Sequence, residues 1–214
     1  MIRRLVLSLA LLAGLAACVA PPKNYDSLYA ADPHSILVVP PVNRSTNALA
    51  AEFLLSTIPR PLAERGYYVF PVNLVRRVLE DDGLADADMV HAADPAHLGH
   101  LFGADTILYV TIEDWTAQYL VVDTIVKVDI SYVMKETATG QTVWQHRQQA
   151  AYNVGTSGGG AIGLVVNMVA AAIARAAPDH IRLARQANRT AFGTPDQGLP
   201  AGPHYRVKRD EKGM

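Results

Sequence analysis

Cys18 is the only cysteine in 214 residues, so disulfide pairing and multi-thiolate metal binding are both out of its reach. What remains for its sulfur is covalent attachment, and its neighbours favour that. Leu15, Ala16 and Ala17 precede it directly, an uncharged run from Leu5 to Leu15 comes before them, and Arg3 and Arg4 stand in front. Other residues of reactive type are sparser. His91, His97 and His100 lie near Asp86, Asp88 and Asp94, and His97 and His100 are three apart, close enough on a helix to share a metal. The same spacing is that of a solvated helix face, which is the reading adopted, so no metal site is assigned. Glu113 and Asp114 adjoin at the end of an apolar stretch and read as hairpin-edge charges rather than an acid–base pair. The loop from Asp81 to Asp88 lacks the alternating oxygens and closing Glu of a calcium loop, and no serine sits in a G-x-S-x-G elbow. No catalytic residue is assigned, and an enzyme is not expected.

The leader has the charge, length and small residues of a signal peptide over residues 1–17, too short to span a bilayer. With Cys18 after it, the pattern resembles the lipobox of bacterial lipoproteins, which implies diacylglycerol on the Cys18 sulfur, cleavage before it and acylation of the new amine. Val19 rather than Asp follows Cys18. By resemblance to enterobacterial lipoproteins, this implies export to the outer membrane, lipid-anchored, with the domain facing the periplasm; the cell surface stays open as the alternative.

Cleavage after Ala17 would leave 197 of the 214 residues, with 17 basic against 20 acidic once Arg3 and Arg4 are gone. Nothing in that balance suggests nucleic acid, which wants a clustered positive surface. A chain of this size can bury one sizeable core.

The positioning elements follow from periodicity. Residues 18–33, with three prolines, read as a lipidated tether, residues 34–192 as a single domain, and residues 193–214 as an irregular or disordered tail. Strands are predicted over Ser35–Val39, Tyr67–Phe70 and Thr106–Glu113, and helices over Ala48–Ile58, from Pro61, over Asn73–Asp82, and from Asp94-Pro95 to Gly103. Val126, Val128, Ile130, Tyr132 and Met134 alternate with polar residues, and Thr139-Gly140 marks a turn to a partner strand over Thr142–Tyr152. The order predicts an α/β (α+β sandwich) fold, a mixed sheet with an antiparallel meander and helices packed against it.

Two features near the C-terminus follow the meander. Gly158 to Gly163 matches G-x-G-x-x-G, but only a helix and the tail come after it, so a hinge is preferred to a nucleotide cradle and no cofactor is expected. The next helix is uncharged from Gly158 to Ala174, with Ile162, Val165, Val166, Val169 and Ile173 covering more than one stripe. It is either core or a protein–protein interface.

The segments SILVVPPVNRS (Ser35 to Ser45), LSTIPRPLAERGYYVFP (Leu55 to Pro71) and FGADTILY (Phe102 to Tyr109) resemble signatures of a family of bacterial lipoproteins of unknown function, typified by a Neisseria genome-derived antigen. The resemblance runs from about Lys23 to Pro203. More distantly, the order strand–Pro–Asn–helix–Gly–strand is similar to CsgG-type curli-secretion lipoproteins and to the TolB N-terminal domain. These likenesses imply a TolB N-terminal-domain-like fold and a non-enzymatic outer-membrane lipoprotein, an accessory in envelope assembly or secretion that binds other envelope lipoproteins, CsgG-type among them. Two alternatives stay open: a self-assembling structural lipoprotein (homodimer or larger), and an envelope hydrolase or metal-binding protein using His97 and His100.

Overall fold

A computed structural model describes residues 23–119, 124–153 and 180–205. In chain order the elements are α1 (Asp26–Ala31), β1 (Ser35–Val38), β2 (Val42–Asn43), α2 (Ala50–Leu55), α3 (Pro59–Glu64), β3 (Tyr68–Val69), α4 (Val72–Asp81), α5 (Ala87–Ala92), α6 (Pro95–Phe102), β4 (Thr106–Tyr119), β5 (Thr124–Glu136), β6 (Thr142–Asn153) and α7 (His180–Gly193). The strands form one mixed six-stranded sheet in the order β3-β1-β4-β5-β6, with β2 also on β4. β1 runs parallel to β3 and β4, whereas β4, β5 and β6 form an antiparallel meander.

Local chemistry explains the familiar segments. In β1 every residue from Ile36 to Val38 is buried, as parallel strands covered on both faces require. Pro40 and Pro41 interrupt pairing with β4, and Val42–Asn43 resumes it as the short strand β2. The Asn43 Oδ1 then accepts from the Ser45 N–H at 3.0 Å, closing an Asx-type turn where a polar turn is predicted. Pro59 and Pro61 open α3, where missing N–H groups cost nothing, and Gly66 ends that turn at φ +86°. Gly103 ends α6 in the left-handed region at φ +69°. Two residues later the Asp105 carboxylate accepts from the backbone N–H groups of His34 and Ser35, at 3.0 and 2.9 Å. That clasp aligns the starts of β1 and β4.

One face of the sheet carries Ile36, Val38, Leu108, Val110, Ile130, Tyr132 and Met134 beneath α2, α3 and α7. The other carries Leu37, Val39, Ile107 and Tyr109 against Val75, Leu79, Val90 and Leu98 of α4, α5 and α6. This is the mixed-sheet α/β architecture expected from the sequence, with several local differences. α5 was not foreseen; Asp86 caps it by accepting from the Asp88 N–H. The stretch predicted as tether contains α1, whose Leu28 is buried in the core. After α7, residues 194–205 form neither helix nor strand and lie along the domain. Leu199 is buried, and the Gly198 carbonyl accepts from the Tyr25 hydroxyl at 2.8 Å and the Trp144 indole N–H at 3.1 Å. The segment's backbone is satisfied by turns and by single bonds to the Phe192, Arg65 and Gly66 carbonyls rather than by a ladder, which leaves no periodic pattern in the sequence.

A buried polar chain joins the layers: the Tyr132 hydroxyl donates to Asn188 Oδ1 at 2.6 Å, and Asn188 Nδ2 donates to Thr57 Oγ1 at 2.8 Å. Asn188 and Tyr132 are both fully buried. Tyr132→Phe should therefore cost about 1–3 kcal/mol, because Asn188 Oδ1 loses a donor it cannot replace from water. Urea unfolding should show a lower midpoint at unchanged slope. An unaltered midpoint would show that this chain of bonds contributes nothing to stability.

Candidate interaction surface

Cys18 lies outside the described residues, as do Gly158 to Gly163 and Ile162, Val165, Val166, Val169 and Ile173. The histidines are placed and separated. His97 Nε2 meets Asp82 Oδ2 at 2.7 Å, while His100 is exposed further along α6. His91 is half-buried edge-on to Tyr109 and hydrogen-bonds the Pro40 carbonyl at 3.1 Å; burial lowers its pKa. Among the described residues no group of three or more His, Cys, Asp and Glu side chains could hold a metal.

Glu113 and Asp114 do not stand at a strand end, as the sequence suggested, but in the middle of β4 at a bulge. Ile112 pairs with Ile130 and Asp114 with Asp129, leaving Glu113 as the extra residue. The bulge resets the alternation, so that Ile112 and Trp115 both face the core. Glu113 pairs with Arg44 at 3.0 Å, and Asp114 accepts from the Thr116 hydroxyl. Each carboxylate is thus engaged separately.

The residues that sequence reasoning missed lie on the outer face of the meander. Asp129 accepts two hydrogen bonds from the Arg147 guanidinium, at 2.8 and 2.7 Å, and one from Gln149 Nε2 at 2.9 Å. The fork of Arg147 matches the carboxylate geometry. Its hydrogen bonds hold the Asp129 pKa below the usual range, against a smaller opposing effect of burial. Beside this cluster an open groove of about 390 Å³ is lined by Asp114, Lys127, Asp129, Gln149 and Ala151. The signal for it was present: Asp129 and Gln149 are equidistant from Thr139 at the turn, so a tight hairpin sets them opposite one another.

β6 forms an edge of the sheet. At its beginning it is covered, since Lys23 Nζ donates to the Gln145 carbonyl at 2.8 Å. From Arg147 to Asn153 it pairs with β5 alone and has no second partner strand among the described residues. Such an edge offers unpaired backbone groups to an incoming strand. The arrangement can recognise a polypeptide by backbone hydrogen bonds, with polar side chains alongside to select it.

Asp129 makes the pH dependence testable. Its pKa is depressed in the folded state, so its contribution is present above the unfolded value of about 3.9 and is lost as pH falls through the folded one. Asp129→Asn should be less stable than the parent at neutral pH, with the difference shrinking below about pH 4. Urea titrations across pH check this, and a difference independent of pH would refute it.

The family model described as "Putative lipoprotein GNA1162-like" matches residues 23–204. "Putative lipoprotein NMB1124/NMB1162" of Neisseria meningitidis serogroup B is 33% identical over 178 residues, 82% of this chain and 83% of that one. The crystal structure of lipoprotein GNA1162 from Neisseria meningitidis superposes at a TM-score of 0.56 with 31% identity, covering 67% of this chain and 99% of that one. A PelC dodecamer from Paraburkholderia phytofirmans gives a TM-score of 0.40 at 16% identity, over 66% of this chain and 84% of that one. The extent of the family match and of the Neisseria sequence identity places this chain in the GNA1162-like lipoprotein family.

Proposed function

We propose that the protein is a non-enzymatic lipoprotein of the outer membrane, anchored through Cys18 with its domain in the periplasm, which binds other envelope proteins as an accessory in assembly or secretion. The observation that carries this reading is the edge of β6, with no second partner strand from Arg147 to Asn153 among the described residues, beside the polar cluster of Asp129, Arg147 and Gln149. Edge addition gives affinity through the main chain and specificity through neighbouring side chains. Family membership supports the lipid anchor, and Val19 after Cys18 supports the outer membrane. In this reading the engaged polar groups are structural: His97 with Asp82, Glu113 with Arg44, Asp129 with Arg147, and His91 with a backbone carbonyl.

Cys18→Ser should abolish incorporation of a palmitate analogue, and normal incorporation would refute the anchor. A photocrosslinking side chain placed at Gln149 or Ala151 in intact cells should capture another envelope protein, a CsgG-type lipoprotein being the first to probe. The same group at Arg60, on the outside of α3, should not. An adduct with a second copy would favour the self-assembling alternative. No adduct at either edge position, with the protein folded and lipidated, would overturn the docking role.

A further inference from the structure

Both ends of the described chain lie at the same end of the sheet, Lys23 beside β6 and Tyr205 beside β3. Lys23 donates its backbone N–H to the Asp196 carbonyl at 3.4 Å, and α1 follows it. The Gly202 N–H donates to Arg65 and the His204 N–H to Gly66, at 2.8 and 3.0 Å, so Tyr205 arrives beside the turn between α3 and β3. Arg65 lies over the Tyr205 ring at 5.9 Å, and Arg65 and Tyr29 line one groove with residues 194–201. His34 and His204 meet edge to face there, just before the start of β1. Tyr29 and Tyr205 are 64% and 45% exposed, large amphipathic rings presented to the surroundings at this end.

Lys23 stands five residues after Cys18. Fully extended, that span reaches roughly 18 Å, less than the width of a small domain. A lipid on Cys18 therefore holds this end, and no other, next to the bilayer. Charge supports the same placement. The described face carries Asp26, Asp32 and Asp196 against Lys23 and Arg65, and the sequence continues after Tyr205 with Arg206, Lys208, Arg209 and Lys212 against Asp210 and Glu211. Basic residues beside an anchor are attracted to anionic headgroups, and tyrosines settle at the level of those headgroups.

We propose that the surface formed by α1, the α3–β3 turn and residues 194–205 rests on an anionic phospholipid bilayer through Tyr29 and Tyr205. The proposal rests on acylation of Cys18. It leaves the open edge of β6 and the bulged half of β4, at the other end of the meander, pointing away from the lipid.

The full lipidated chain has no free thiol once Cys18 is acylated, so single cysteines report cleanly. Tyr29→Cys, Tyr205→Cys and Met89→Cys, each labelled with a bimane fluorophore, are reconstituted in phosphatidylethanolamine–phosphatidylglycerol vesicles carrying brominated acyl chains. Met89 is 52% exposed on α5, whose His91 touches Pro40 at the far end of β1. Quenching several-fold stronger at positions 29 and 205 than at 89 is expected. Equal or reversed quenching in protein whose N-terminal peptide has the acylated mass overturns the face and leaves the anchor standing. An N-terminal peptide without acyl chains overturns the anchor, and with it this proposal.

Discussion

The architecture depends on β4 having two different environments along its length. Its first residues, Ile107, Leu108, Tyr109 and Val110, are buried on both faces because β1 pairs on one side and helices lie above and below. Among Glu113 to Thr116, only Trp115 is fully buried. The Glu113 bulge makes the change possible, returning Trp115 to the core where a regular strand would have turned it outward. Trp115 in turn donates to His180 Nδ1 at 3.1 Å, and the His180 ring stacks on Phe53. Bulge, indole and the start of α7 are therefore one unit, which orders the layer above the meander.

How much of this the sequence disclosed depended on whether the determinant was local. α6 was legible because Asp94, Pro95 and Gly103 are its own cap, first residue and stop. The meander was legible because Val128, Ile130, Tyr132 and Met134 alternate with Lys127, Asp129, Ser131 and, beyond Val133, Lys135. β2 was hidden, since two residues have no period, and it exists only because β4 continues past Pro40 and Pro41. α1 was hidden in a proline-rich stretch, and its helix is held by tertiary burial of Leu28 rather than by propensity. The Asp129–Arg147 pair required the register of β5 on β6, which the hairpin turn contains but a search for motifs does not consult.

A long edge strand is ordinarily an aggregation hazard, and this molecule limits the exposure of β6 from both sides of the problem. The first half is covered by Lys23 over the Trp144 ring, at 5.2 Å, and by residues 196–198. The second half has no second partner strand among the described residues and is flanked by polar side chains, those of Arg147, Asp129, Lys127 and Gln149. The hydrogen bonds of Arg147 and Gln149 to Asp129 hold a fixed polar pattern beside that backbone. A strand laid against such an edge without matching that pattern would leave desolvated polar groups unpaired.

The segment after α7 shows why the two ends of the domain differ in character. Its path is permitted by glycines at the points of closest approach. A Cβ on Gly66 would collide with the Tyr205 backbone, and one on Gly202 would fall 2.8 Å from the Gly66 carbonyl oxygen. With Tyr67 donating to the Pro200 carbonyl at 3.1 Å and Tyr25 to Gly198, this closure ties α1, α3 and β6 into one rigid base. A rigid base transmits orientation. If the chain is held to a surface through residues just before Lys23, the sheet has a defined attitude to that surface and cannot swivel on a long linker. The open edge of β6 is then presented in a consistent direction, which lowers the entropic cost of docking for any partner held in the same envelope. For a chain held in that way, the closure and the edge are linked through one physical quantity, the restricted orientation of the sheet.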